Sequence, residues 1–289
     1  MVHPTSYPAQ IGIFDSGVGG LSVVRAIRRQ LPYQPILFLA DQAHVPYGPR
    51  TLDEVRNFAA AITRFLLAQG AQMIVVACNT ASAAALHDLR AKNPDIPFVG
   101  MEPAVKPAAE LTQTGVVGVL ATPATFQGQL YASVVERFAK GVRILQDTCP
   151  GLVPEIEAGR FNGRKARHIL ESALKPMLEE GIDTVVLGCT HYPFVIPLIQ
   201  EIVGPQVRVI DPAPAVARQV ARLAQTLVSE KSSPHRFITT GSPGALTALL
   251  PELLGEQYPV EQARWVDTTL LHCKSVVNNS GILRTTGGS

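Results

Sequence analysis

The 289-residue sequence predicts an α/β protein of two similar lobes, each built on a central, mostly parallel sheet and related by a pseudo-twofold, with the active site in the cleft between them. Three observations predict it. Apolar runs of strand length alternate with helical stretches almost from end to end, which is the pattern of βαβ units. One stretch occurs twice: Leu66-Leu-Ala-Gln-Gly-Ala-Gln-Met-Ile-Val-Val-Ala-Cys78-Asn-Thr80 returns as Met177-Leu-Glu-Glu-Gly-Ile-Asp-Thr-Val-Val-Leu-Gly-Cys189-Thr-His191. A fainter echo, Ile11-Gly-Ile-Phe-Asp15-Ser16 against Val117-Gly-Val-Leu-Ala121-Thr122, starts each half.

In chain order, strands are expected at 10–14, 35–39, 73–77, 98–100, 116–120, 143–146, 184–188, 207–210 and 236–240. Helices fall between them, for example the stripe Val55, Phe58, Ala59, Ile62, Phe65 and Leu66, whose helical spacing marks a core face. Gly70 and Gly181 stop the helices of the repeated unit, and the short β-rich runs after them end on a cysteine. Prolines at 103 and 107, and the Asp211-Pro-Ala-Pro214 segment, mark two crossovers. Residues 1–102 with 213–289 are therefore expected to form the first lobe and 103–212 the second, and 279–289 has the composition of a disordered tail.

Composition narrows the function. Lys and Arg total 25 against 23 Asp and Glu, with no basic block, so nucleic acid is not the expected partner. The chain lacks an apolar stretch of the roughly 18 residues a membrane span needs, and the start, Met-Val-His-Pro-Thr-Ser-Tyr-Pro, is unlike a secretory leader, so a cytoplasmic location is expected. The four cysteines (Cys78, Cys149, Cys189, Cys273) are then reduced thiols. None forms a C-x-x-C pair, and no metal site is expected.

The C-terminal edge of a parallel sheet is where ligands bind. Two copies of a Cys-bearing strand can present two sulfurs to one cleft from opposite sides. Inverting a carbon that bears hydrogen needs a base on one face and an acid on the other, and one thiol per face supplies both without metal or cofactor. Cys78 and Cys189 sit at predicted helix N-termini, which favours thiolate. Asn79 with Thr80 and Thr190 with His191 follow them as small hydrogen-bonding groups suited to a carboxylate. Asp15 and His191, one per half, are the acid-base neighbours of the thiols. The Pro-Tyr47-Gly48 turn sets a hydroxyl and a bare N–H toward a ligand. Cys149 and Cys273 have no counterpart in the repeat and are not counted as catalytic.

Two other readings compete. Gly17-Val-Gly-Gly20 precedes a helix and reads G-x-G-x-x-S, and Asp41 ends the next strand where a ribose-binding carboxylate would fall, which points to a dinucleotide. A two-lobed binder with cysteines used only in packing is the other.

Five motifs in order, Phe-Asp15-Ser16-Gly-Val-Gly-Gly, Val-Pro-Tyr47-Gly48, Ala-Cys78-Asn79-Thr80, Cys149-Pro-Gly-Leu-Val-Pro-Glu155-Ile-Glu157 and Gly-Cys189-Thr190-His191-Tyr-Pro, resemble the glutamate racemases of the cofactor-independent aspartate/glutamate racemase superfamily. The resemblance spans Ile11 to about Val266. It implies that Cys78 and Cys189 are acid/base thiols, each acting on one enantiomer of glutamate. It implies further that Asp15, Ser16, Tyr47, Gly48, Asn79, Thr80, Thr190 and His191 bind substrate, and that Asp15, His191 and Glu157 assist the thiols. The Thr122–Thr125 segment would add a hydroxyl. The family's biology implies D-glutamate for peptidoglycan, no cofactor and a homodimer, with aspartate or hydantoin racemisation as the near alternative. The sequence departs from the family at Ala40-Asp41-Gln42-Ala43-His44, where the family commonly has Gly-Asp-Thr-Ala-Arg.

Overall fold

The computed structural model describes residues 10–227 and 234–273, and the tail expected to be disordered lies outside them. Eleven strands and eleven α-helices alternate along the described chain. The first half runs β1 (Gln10–Asp15), α1 (Leu21–Gln30), β2 (Ile36–Ala40), α2 (Leu52–Ala68), β3 (Ala71–Val76), α3 (Asn79–Lys92), β4 (Phe98–Gly100) and α4 (Val105–Leu111). Then follow β5 (Val116–Ala121), α5 (Pro123–Gln127), α6 (Gln129–Phe138), β6 (Arg143–Asp147), α7 (Leu152–Glu157), α8 (Arg164–Glu179), β7 (Thr184–Gly188), α9 (Ile196–Val203) and β8 (Arg208–Ile210). The chain closes with α10 (Ala213–Leu223), β9 (Arg236–Thr239), α11 (Pro243–Leu254), β10 (Val260–Val266) and β11 (Thr269–His272).

Two sheets result. The larger has the order β11-β10-β9-β2-β1-β3-β4 and the smaller β6-β5-β7-β8. The sub-order β2-β1-β3-β4 is repeated as β6-β5-β7-β8, all parallel, so β1 answers to β5 and β3 to β7. The repeated sequence is therefore a repeated position in the fold. Gly70 and Gly181 both take left-handed backbone, at φ 94° and 83°, where a side chain would be strained; each ends its helix and turns the chain into the strand. The central strands β1, β2 and β7 are buried along their whole length, which is why they read as continuous apolar runs rather than alternating ones.

One buried core takes residues from both sheets, including Ile13 and Val75 of the first and Val185 and Leu187 of the second. Separate cores lie on the far face of each sheet. The lobes thus share packing rather than meeting across water. All nine expected strands are present within a few residues. The β10–β11 hairpin was not expected: in β10 only Ala263 is fully buried, so this edge element lacks the apolar run that marks the others.

Candidate active site

The cleft lies where the C-terminal ends of β1 and β3 face those of β5 and β7. It is narrow, with a cavity volume of about 20 Å³. Ser16, Tyr47, Gly48, Cys78, Asn79 and Thr80 line it from the first sheet, and Cys189, Thr190 and His191 from the second. Nine of the expected residues therefore meet in one place. Pro46, Thr122 and Val153 complete the lining. Pro46 and Val153 lie within two of the five motifs, but neither carries a chemical group that marks it as a site residue.

Thr122 resolves the open hydroxyl of its segment. It caps α5, with Thr125 N–H donating to its side chain, and its Oγ1 lies 2.8 Å from Thr80 Oγ1 and 2.9 Å from that of Thr125. Thr125 is buried behind it.

Cys78 is the N-cap of α3, where its sulfur accepts from Ala81 N–H at 3.4 Å. That contact favours thiolate, as the sequence suggested. Burial and the neighbouring Asp15 carboxylate outweigh it and push the Cys78 thiol well above its ordinary range. At Cys78 the surroundings as a whole therefore favour the thiol, against the pull of the helix start. Cys189 is placed differently. A 3-10 turn (Tyr192–Val195) follows it rather than an α-helix, so no full helix N-terminus faces its sulfur.

Asp15 does not line the cleft; it lies beneath, fully buried. Its Oδ2 accepts from Gly20 N–H at 2.8 Å and Gly17 N–H at 3.3 Å, and its Oδ1 from Thr190 Oγ1 at 3.4 Å. Burial raises its pKa, with His191 opposing. Asp15 can therefore carry a proton beside Cys78 more readily than an ordinary aspartate.

On the other side stands a chain of three. Cys189 Sγ is 3.7 Å from His191 Nδ1, and His191 Nε2 is 2.6 Å from Glu157 Oε1. Burial would lower the histidine, but its bonds to Cys189 and Glu157 prevail and hold it well above 6.5. Burial likewise opposes the charge on Glu157, yet His191, Gln42 and Val18 N–H keep its carboxyl below 4.5. Both shifts favour imidazolium and carboxylate, the state in which both ring nitrogens donate. Of the two glutamates so close in sequence, Glu157 joins the site, whereas Glu155 is taken by Arg160 and Lys165.

The glycine loop is packed against this chain. A Cβ at Gly17 would come within 1.9 Å of Glu157 Oε1. Gly17→Ala is therefore expected to displace Glu157 from His191, lowering the thermal midpoint by the equivalent of about 1–3 kcal/mol and cutting turnover more steeply. Thermal unfolding and steady-state rates on one preparation check both.

The loop's donors to Asp15 and Glu157 leave Gly17, Val18 and Gly20 N–H engaged within the protein. Asp41 is equally committed: its buried carboxylate meets four side chains. Both features behind the dinucleotide reading are thus internal structure. The Tyr47 hydroxyl, expected to face a ligand, instead donates to Asp41 at 2.6 Å, so Tyr47 meets the cleft with its proton already spent. Among the described residues no group of three or more His, Cys, Asp or Glu is arranged to hold a metal ion.

Asn79 is the exception to this internal satisfaction. The residue lines the cleft, and its Oδ1 and Nδ2 are buried with no hydrogen-bond partner. Leaving such a group unpaired costs about 1–3 kcal/mol, a cost recovered when a polar ligand enters.

Two similar α/β halves each bring a thiol to one small cleft, the fold and site of the aspartate/glutamate racemase class. The chain belongs to the Asp/Glu/hydantoin racemase family, whose model matches residues 11–220. Its relatives include the glutamate racemase of Ectopseudomonas mendocina, 49% identical over 255 residues, covering 87% of this chain and 97% of that protein. Escherichia coli glutamate racemase, solved with L-glutamate and the activator UDP-MurNAc-Ala, has a TM-score of 0.79 at 31% identity, covering 88% of this chain and 98% of its own. The Francisella tularensis enzyme, solved with D-glutamate, has a TM-score of 0.77 at 29% identity, covering 90% and 98%.

Proposed function

We propose that the protein is a glutamate racemase that interconverts L- and D-glutamate with Cys78 and Cys189 as its two acid/base groups and supplies D-glutamate for peptidoglycan. The observation that carries this reading is the pair of thiols at the ends of the equivalent strands β3 and β7, both lining one cleft. The relatives named above support glutamate as substrate, since one binds the L and another the D enantiomer.

In either direction one cysteine, as thiolate, removes the α-proton, and the other, as thiol, returns a proton to the opposite face. The configuration inverts, no electrons leave the substrate, and the two sulfurs exchange protonation states. Asp15 supports Cys78 by taking up or holding a proton beside it, and His191 with Glu157 does so for Cys189. Ser16, Asn79, Thr80 and Thr190 offer hydrogen bonds to the substrate's carboxylates and ammonium, with Thr122 supporting Thr80 and the Tyr47-Gly48 turn forming the wall. The reading includes a homodimer in the cytoplasm, for which sedimentation of the purified protein is the direct measurement.

Incubation with L-glutamate in deuterium oxide, with no cofactor added, tests the activity. Loss of the α-proton signal with appearance of D-glutamate is expected; turnover of aspartate or a hydantoin in place of glutamate would overturn the substrate assignment.

Asn79 gives a prediction of mixed sign. Asn79→Ala removes two unsatisfied buried atoms, so the ligand-free protein should lose little stability or gain up to about 1 kcal/mol. The KM for glutamate should rise at least about tenfold, since a bond to a charged group is lost. Thermal melts with and without glutamate separate the two effects.

A further inference from the structure

The structure assigns Asp41 a positioning role for Tyr47 that is set by two residues outside the cleft lining, His44 and Trp265. The assignment takes its substrate from the proposed racemase activity and its geometry from the fold alone.

Asp41 directly follows β2, and its carboxylate is fully buried. Its Oδ2 accepts from the Tyr47 hydroxyl at 2.6 Å and lies 2.9 Å from His44 Nδ1. Its Oδ1 accepts from Thr240 Oγ1 and Trp265 Nε1, both at 2.7 Å. A carboxylate has about four lone-pair sites, and all four are used. A buried charge is stable only when so satisfied, so the four donors are held in fixed relation to one another. They come from the turn that walls the cleft, from the end of β9 and from β10.

Tyr47 is the donor that touches the site. Pro46 and Gly48, on either side of it, also line the cleft, so the position of the phenol sets that wall. Its only proton goes to Asp41, which leaves its oxygen with acceptor capacity alone.

The other two donors sit among aromatic rings. His44 stacks on Phe58 at a centroid distance of 4.0 Å and meets Trp265 edge-on at 5.0 Å. Phe58 also packs against Tyr47 and Trp265, each at 5.7 Å. Arg50 lies over Phe58 and donates to the His44 carbonyl at 2.8 Å. The hairpin at the far edge of the larger sheet thereby reaches the cleft wall. His44 keeps an N–H on Asp41 and adds a ring to the stack.

Three variants separate the N–H groups from the rings. His44→Phe and Trp265→Phe keep a ring and lose the donor, whereas His44→Arg keeps donors and loses the ring. Both phenylalanine variants are expected to raise the KM for glutamate about fivefold with kcat within about twofold of the parent, while His44→Arg keeps the parent KM. An unchanged KM in both phenylalanine variants overturns the assignment, because ring packing would then be all these residues supply.

A second readout needs no substrate. Trp265 is the chain's single tryptophan. Tyr47→Phe keeps the ring and deletes the hydroxyl, so a shift in Trp265 emission is expected through Asp41, and unchanged emission overturns the relay. A protein that shows this shift but does not racemise glutamate would sink the proposed activity and leave the relay standing.

Discussion

Cys78→Ala and Cys189→Ala are each expected to lower racemisation by about 10³-fold or more, the scale on which a positioned acid or base acts. The two variants should nevertheless differ in what they retain. Each keeps one thiol facing one side of the α-carbon. That thiol can still remove a proton from the enantiomer presenting hydrogen to it and return a solvent proton to the same side. In deuterium oxide one variant should exchange the α-proton of L-glutamate without inversion, and the other that of D-glutamate. Proton NMR of each enantiomer with each variant gives a two-by-two pattern. Full racemisation by either variant, or the same exchange preference in both, would rule out two thiols on opposite faces. Folding should tolerate both changes. Both thiols are buried, but alanine removes only one sulfur, and at Cys78 the lost bond is a 3.4 Å cap to Ala81 N–H.

That experiment depends on a symmetry visible in the sequence itself. The repeat around Cys78 and Cys189 was legible because buried parallel strands read as unbroken apolar runs and because a left-handed helix stop calls for glycine, so Gly70 and Gly181 stand at matched places. Asn79, Thr80, Thr190 and His191 followed, since they sit directly after the two cysteines. What was hidden arises from contacts far apart in sequence. Nothing in Trp265 announces a bond to Asp41 across 224 positions, nor in Glu157 a bond to His191 rather than the surface cluster that takes Glu155. The direction of the Cys78 shift was also beyond the sequence. A helix start favours thiolate, and only the depth of burial and the closeness of Asp15 decide that the opposite wins.

The second large effect is expected from Glu157→Gln, and its sign follows from linkage. His191 is held above 6.5 in the folded chain, so its stabilising contribution is complete below that pH and is lost as pH rises through the folded value. Glu157, held below 4.5, contributes above 4.5 and loses its contribution as pH falls through its folded value. Asp15 and Cys78 run the other way, because burial raises both and their charged forms cost stability. Replacing Glu157 by glutamine removes one of the two partners that hold the imidazolium, so the His191 pKa should fall. The alkaline limb of stability, and of kcat/KM where His191 must be protonated, should then move to lower pH. A loss in kcat of about 10²-fold is expected at the parent optimum, since the imidazolium beside Cys189 is what the pair provides. Profiles of kcat/KM and of the thermal midpoint against pH, for parent and variant, test both shifts. The decisive comparison adds His191→Asn. If Glu157 acts on Cys189 only through the imidazole, the double variant should be no slower than His191→Asn alone, whereas independent, multiplying losses would give Glu157 its own contact with the reaction.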